Sequence, residues 1–242
     1  MSAKTNKSVK YKRVLLKLSG EALEGVRDHG IDFEYLKVLC KEIVEVKKLG
    51  VEIVIVIGGG NFWRYRDFKD SAIERTSSDY MGMIATVMNS IAMQSCLEKV
   101  GLKAKAFSAL DLPVLLENFY RRDAIAALEE GCIVISAGGT GNPYFTTDSA
   151  ASLRAAELQC DVILKATNVD YVYDKDPHKN KDAKPYKKVS YLEVLEKRLN
   201  VMDLSAIAMS QDANIPILVF NLNKKGNILK AIKGEEVGTL IY

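Results

Sequence analysis

Three glycine-bearing segments each follow a run of mostly apolar residues. They are Ser19-Gly20 after RVLLKL (13–18), Gly58-Gly59-Gly60-Asn61 after VEIVIVI (51–57), and Ala137-Gly138-Gly139-Thr140-Gly141-Asn142-Pro143 after CIVIS (132–136). Glycine, with no Cβ, lets backbone N–H groups close on an anion. In an open parallel sheet the ligand lies beyond the carboxyl ends of the strands, against helix N-termini. One such turn is as readily structural as functional, whereas three at one sheet edge favour phosphate binding. Cations stand near them: Lys17 in the first run, Arg64 after the second turn, and Lys165 closing VILK (162–165). Phosphoryl transfer asks of a protein mainly in-line positioning and neutralisation of charge by Lys, Arg and Mg²⁺. Asp148 follows the third turn at the expected start of a helix. It reads either as an N-cap or as an acid that holds two lysines in place.

Other chemistries are excluded by reading. No Gly-Lys dipeptide, GxGxxG, His-Arg-Asp or GxSxG occurs, which removes P-loop NTPases, dinucleotide-binding dehydrogenases, protein kinases and serine hydrolases of the nucleophile-elbow type. Cys40, Cys96, Cys132 and Cys160, with His29 and His178, show no metal-ligand spacing. The apolar runs fall far short of the roughly 20 residues a membrane helix needs, and no signal-like segment follows the basic start, so a cytoplasmic protein with no membrane partner is expected. The formal charge is +3, but Lys4, Lys7, Lys10, Lys12 and Arg13 cluster at the start, and the rest of the chain is slightly acidic. That start reads as a solvated tail (1–10) rather than a nucleic-acid arm.

The elements that must position these residues alternate. At 242 residues with 48% hydrophobic content, the chain is long enough for one large domain. Asp32 caps a helix bearing Leu36, Leu39, Cys40, Ile43 and Val44 and stopped by Gly50, so strand 13–18, this helix and strand 51–57 form a βαβ unit. A long helix is expected from about 79 to 100, burying Met83, Ile84, Val87, Met88 and Ile91. Strand 103–108, helix 122–130, strand 132–136, helix 148–159 and strand 162–165 follow. Residues 166–185 read as an irregular ligand loop. Ser190 and Glu193 fit a capping box opening a helix to about 199. Helix 203–212, strand 217–220 and a strand at 239–242 complete the pattern. This alternation predicts a three-layer α/β/α sandwich with a mostly parallel central sheet in one domain, 1–242.

Five segments carry a resemblance: KLSGEAL (17–23), GGGN (58–61), DYMGMIATVMN (79–89), GGTGNPYFTTDSAA (138–151) and VMDLSA (201–206). Together the chain from Tyr11 to Tyr242 resembles bacterial UMP kinases, a branch of the amino-acid kinase superfamily, and TGNPYFTTD is the segment specific to that branch. The resemblance implies transfer of the γ-phosphoryl group of ATP to UMP, giving UDP and ADP in pyrimidine nucleotide (CTP) biosynthesis. It implies that Lys17, Leu18, Ser19, Gly20, Gly60 and Arg64 hold the ATP phosphates, and that Thr167, Tyr173 and Asp176 form the adenosine-binding loop. Gly59, Asp79 and the run Thr140, Gly141, Asn142, Pro143, Tyr144, Phe145, Thr146 and Thr147 resemble the UMP pocket, with Asp79 accepting from the ribose hydroxyls. Lys17 and Lys165 would be catalytic cations and Asp148 the residue that organises them. Asp203 would approach Mg²⁺ through water, and Mg²⁺ itself would be bound mainly by the nucleotide phosphates, with no direct protein ligand.

The resemblance further implies a homohexamer, assembled through the long helix, with GTP activation and UTP inhibition. The chain departs from the family at Tyr65 and Tyr171, where relatives usually carry Gly, and at Gly25-Val26-Arg27-Asp28-His29. Two other functions are weighed. A kinase of a carboxylate or carbamate acceptor conflicts with an acid at position 79, and a non-catalytic uridine-nucleotide sensor would have to bind nucleic acid through the basic tail.

Overall fold

The computed structural model describes residues 9–65, 72–175, 177, 179–199 and 201–242. Among them the central sheet has nine strands. In spatial order they are β4 (Glu117–Asn118), β3 (Ala104–Ser108), β5 (Ile133–Ala137), β2 (Glu52–Ile57), β1 (Arg13–Leu18), β6 (Val162–Thr167), β10 (Ile217–Asn221), β11 (Thr239–Ile241) and β9 (Lys188–Val189). Every pairing is parallel except β10 with β11. A separate hairpin pairs β7 (Val172–Tyr173) with β8 (Pro185–Tyr186) inside the stretch expected to be irregular.

Helices α1 (Phe33–Lys47), α2 (Arg75–Lys99) and α7 (Asn227–Lys233) cover one face of the sheet. Helices α3 (Arg121–Glu129), α4 (Thr147–Glu157), α5 (Tyr191–Glu196) and α6 (Leu204–Asp212) cover the other. The period-2 alternation of strands explains why both faces must be covered. Val14, Leu16 and Leu18 of β1 enter the core under α1, while Leu15 enters the opposite core with Val54 and Val56 of β2. Lys17 lies on the α4 side for the same reason. The expected three-layer sandwich is therefore the observed architecture. Among the described residues no helix is long and apolar enough to cross a membrane.

Three expectations are corrected. Helix α2 begins at Arg75, four residues early, and of its expected core residues only Met83 and Val87 are buried. Ile84, Met88 and Ile91 are exposed, because α2 lays Thr86, Ser90, Met93 and Leu97 on the sheet instead. The N-cap of α4 is Thr146, whose hydroxyl accepts from the Asp148 and Ser149 amides, so Asp148 stands within the first turn with its carboxylate free for other partners. The capping box at α5 is half made: Ser190 accepts from the Glu193 amide, while the Glu193 carboxylate turns to Lys197.

Candidate active site

The three glycine turns converge at the carboxyl ends of β1, β2 and β5. Directly after β1, Ser19 caps a 3-10 turn over Gly20–Leu23 by accepting from the Ala22 amide. A Cβ on Gly20 would lie 2.5 Å from the Gly60 amide nitrogen and 2.8 Å from the Gly58 carbonyl, so the first two turns meet backbone to backbone. A Cβ on Gly58 would lie 3.2 Å from Thr147 Oγ1, which brings the start of α4 to the same point. Arg64 reaches from the second turn to Glu21 of the first, 2.5 Å from its carboxylate, and holds its guanidinium over Gly60.

Between these turns lies a Lys-Asp-Lys chain. Lys17 and Lys165 are register partners on adjacent parallel strands, so their side chains leave the sheet side by side. Asp148 descends from α4 between them, Oδ1 2.8 Å from Lys17 Nζ and Oδ2 2.7 Å from Lys165 Nζ. Burial opposes the charge on Asp148, but the two ammonium groups outweigh it and hold the carboxyl below the ordinary aspartate range. Burial and the nearby Lys17 charge pull Lys165 down to about 8, against the partial support of Asp148. A cleft of about 360 Å³ opens onto both lysines and is also lined by Ser19, Ala22, Thr167 and Leu222.

Asp203 is the N-cap of α6 and its carboxylate accepts from four donors: Thr146 Oγ1, Ser149 Oγ, Ser205 Oγ and the Ala206 amide. Burial raises its pKa, but these hydrogen bonds prevail and lower it. It thus ties α6 to the start of α4. Asp79 of α2 accepts from the backbone amide of Tyr144 at 2.8 Å, which pins the 140–147 loop against the helix. Within that loop the Thr140 hydroxyl accepts from the Asn142 amide, and Tyr144 and Phe145 are exposed. Tyr173 lies on the β7–β8 hairpin and is not part of the cleft lining, and Asp176 lies outside the described residues. Tyr171 lines a different cavity, about 290 Å³ in volume, beside Tyr11, Lys187 and Leu240.

A family model described as the amino acid kinase family matches residues 12–221. The chain belongs to this family. Solved members of similar structure include the UMP kinase from Bacillus anthracis, 37% identical at a TM-score of 0.92, with 96% of this chain and 96% of that chain covered. The UMP kinase from Ureaplasma parvum is 35% identical at a TM-score of 0.90, covering 96% of this chain and 99% of that one. The uridylate kinase from Archaeoglobus fulgidus is 29% identical at a TM-score of 0.73, covering 95% and 99%.

In this member of the amino acid kinase family, three polar residues of α2 bear on the site that sequence reading did not single out. Thr86 Oγ1 accepts from the Gly138 amide at 2.8 Å, anchoring the third turn at its first glycine. Asn89, fully buried, donates to the Gly58 carbonyl at 2.7 Å and exchanges amide hydrogen bonds with Asn61, anchoring the second. Arg75 sits one helical turn before Asp79, with Nε 2.9 and 2.8 Å from its two carboxylate oxygens. Each is an ordinary helix residue by type. The signals in the chain were that Thr86 and Asn89 lie within DYMGMIATVMN (79–89) and that Asp79, Thr86 and Asn89 fall near one face of a 3.6-residue period.

Proposed function

We propose that this protein is a UMP kinase that transfers the γ-phosphoryl group of ATP to UMP, giving UDP and ADP. The observation that carries this is the Lys17–Asp148–Lys165 chain beneath three converging glycine turns, one of which continues into the 140–147 loop. A UMP phosphate oxygen attacks the γ-phosphorus as the bond to the β–γ bridging oxygen breaks, and ADP departs with that oxygen. Lys17 and Lys165 neutralise charge on the moving group, and Asp148 keeps both ammonium groups at the spacing this needs without taking a proton. Leu18, Ser19, Gly20, Gly60 and Arg64 receive the ATP phosphates, and Thr167, Tyr173 and Asp176 the adenosine. Gly59, Asp79 and residues 140–147 receive UMP.

The donor set fits a Mg²⁺ carried in by ATP. Two lysines occupy Asp148 and four hydrogen bonds occupy Asp203, so the phosphates would be its chief ligands, with Asp203 reached through water. Such an ion would supply further neutralisation of the phosphate charge. The same reading assigns the chain to one catalytic domain, to the cytoplasm, to pyrimidine nucleotide (CTP) synthesis, and to a homohexamer open to GTP activation and UTP inhibition. The exposed apolar stripe of α2 supports the assembly.

The test is ADP formation from ATP and Mg²⁺ with UMP, CMP, aspartate, acetylglutamate or carbamate as acceptor, against a blank without acceptor. Turnover with UMP is expected. Turnover confined to a carboxylate or carbamate would overturn the acceptor assignment, and silence with every acceptor would overturn the activity.

A further inference from the structure

Arg75 is costly where it stands. It occupies the first turn of α2, where a cation opposes the positive end of the helix dipole. Its pairing with Asp79 has the basic residue N-terminal to the acidic one, the weaker order for an i,i+4 pair. Glu74, at the N-cap, makes no side-chain capping bond that would offset this. Helix stability therefore does not explain the residue.

Its surroundings do. Both oxygens of Asp79 are gripped by Arg75 Nε, and Oδ2 also accepts from the Tyr144 amide. The guanidinium carbon lies 4.5 Å from the centroid of the Tyr65 ring and 5.4 Å from that of Tyr144, within range of cation–π attraction to both. Tyr144 holds φ at +71°, a left-handed conformation unfavourable for a side chain of its size, and the Asp79–Tyr144 bond holds it there. Two local costs thus meet at one contact, and it joins the segment after Arg64, the start of α2 and the acceptor loop.

We infer that Arg75, clasped between Tyr65 and Tyr144, is a positioning residue of the acceptor pocket. It fixes the Asp79 carboxylate so that its remaining lone pairs face the ribose hydroxyls of the acceptor, and so sets preference for a ribonucleotide over a deoxyribonucleotide. This rests on the acceptor reading proposed above. A carboxylate free to rotate would meet the hydroxyls in only a fraction of its orientations. A site built to hydrogen-bond a substrate hydroxyl discriminates strongly against the analogue lacking it, and loosening that site narrows the difference. Tyr65 supplies one ring of the clasp.

The experiment compares UMP and dUMP on the full-length wild type and on Arg75→Gln, Arg75→Lys and Tyr65→Leu, by steady-state kinetics and by calorimetric binding. For Arg75→Gln the KM for UMP should rise about tenfold, the KM for ATP should stay within about twofold, and the UMP over dUMP ratio in kcat/KM should fall about tenfold. Arg75→Lys keeps the charge without the planar fork and should restore little of the ratio. Tyr65→Leu leaves the helix intact, which keeps the test valid if the Arg75 variants fold poorly, and should lower the ratio by about two- to fivefold. Equal losses for UMP and dUMP, or an equal rise in the KM for ATP, would overturn the role. If the wild type lacks turnover but binds UMP, the binding ratio still decides the role of Arg75 while the proposed activity fails; a wild type that binds neither nucleotide overturns both.

Discussion

At the scale of single residues, Asp148 makes the Lys17–Lys165 pair tolerable, because two buried ammonium groups one strand apart repel each other unless a carboxylate lies between them. The arrangement leaves Lys165 with a pKa near 8, pulled down by burial and by Lys17. Lys165 is therefore charged below about pH 8 and neutral above it, and kcat/KM for ATP, which reports the free enzyme, should fall as pH rises through that value. Replacing Lys165 by Arg, which stays charged throughout, should remove this basic limb even if the overall rate drops; an unchanged limb would assign it to another group. The linkage to stability has a definite sign. Between about 8 and the ordinary lysine value of 10.5 the unfolded chain binds the more protons at this position, so Lys165 makes the fold more stable as pH rises across that window. Asp148 is depressed instead, so its contribution is present above the ordinary aspartate pKa and is lost as pH falls through its folded value. Lys17 lies at the end of β1 just before the first glycine turn, 2.8 Å from Asp148 Oδ1. Lys17→Ala should lower kcat by about 10²-fold or more, the usual consequence of losing one preorganised charge-stabilising group, and near-normal turnover would remove Lys17 from the site.

At the scale of elements, α2 sets the geometry of the second and third glycine turns. Along one side it presents Asp79 to the Tyr144 amide, Thr86 to the Gly138 amide and Asn89 to the Gly58 carbonyl, so a single rigid rod holds the second and third glycine turns. The glycine turns lack side chains of their own to lock them, and the helix supplies the lock. Asn89→Leu keeps approximate volume while leaving the Gly58 carbonyl and Asn61 Oδ1 without their donor, although Asn61 Nδ2 keeps its bond to the Gly30 carbonyl. Each of the two orphaned groups costs about 1–3 kcal/mol, so the urea midpoint should fall by the equivalent of about 2–6 kcal/mol. Met88→Leu, one position away on the exposed side, should stay within about 0.5 kcal/mol of wild type. Equal effects from the two would show that the buried amide network does not hold the turns.

At the scale of the molecule, the layered fold was legible because strand runs and glycine stops repeat, and β1, α1 and β2 fell within a residue or so of where the pattern put them. Elements too short to show a period were not legible: α7 spans seven residues between left-handed glycines 226 and 234, and β4 and β9 two residues each. The glycine turns and Lys17 announced themselves by type, whereas Arg75, Thr86 and Asn89 act through turns distant in sequence. The face of α2 was legible only in part. Apolar residues run nearly all round it: Met83 and Val87 point inward as the pattern placed them, but only packing shows that Met93 and Leu97 join them. Ile84, Met88 and Ile91 are left 49%, 48% and 40% exposed. Their spacing of four and three places them in one stripe on the side away from Thr86 and Asn89. A stripe of this kind is what a self-complementary contact between two copies buries, and such a contact would stiffen the same rod that carries Asp79. Light scattering at micromolar concentration should accordingly give a mass near six times 26.8 kDa. The double variant Ile84→Glu/Met88→Glu should break this assembly and raise the KM for UMP more than that for ATP, because α2 touches the acceptor loop. A monomeric wild type would end the assembly reading, and a dissociated variant with unaltered kinetics would show that α2 holds the acceptor loop without help from a neighbour.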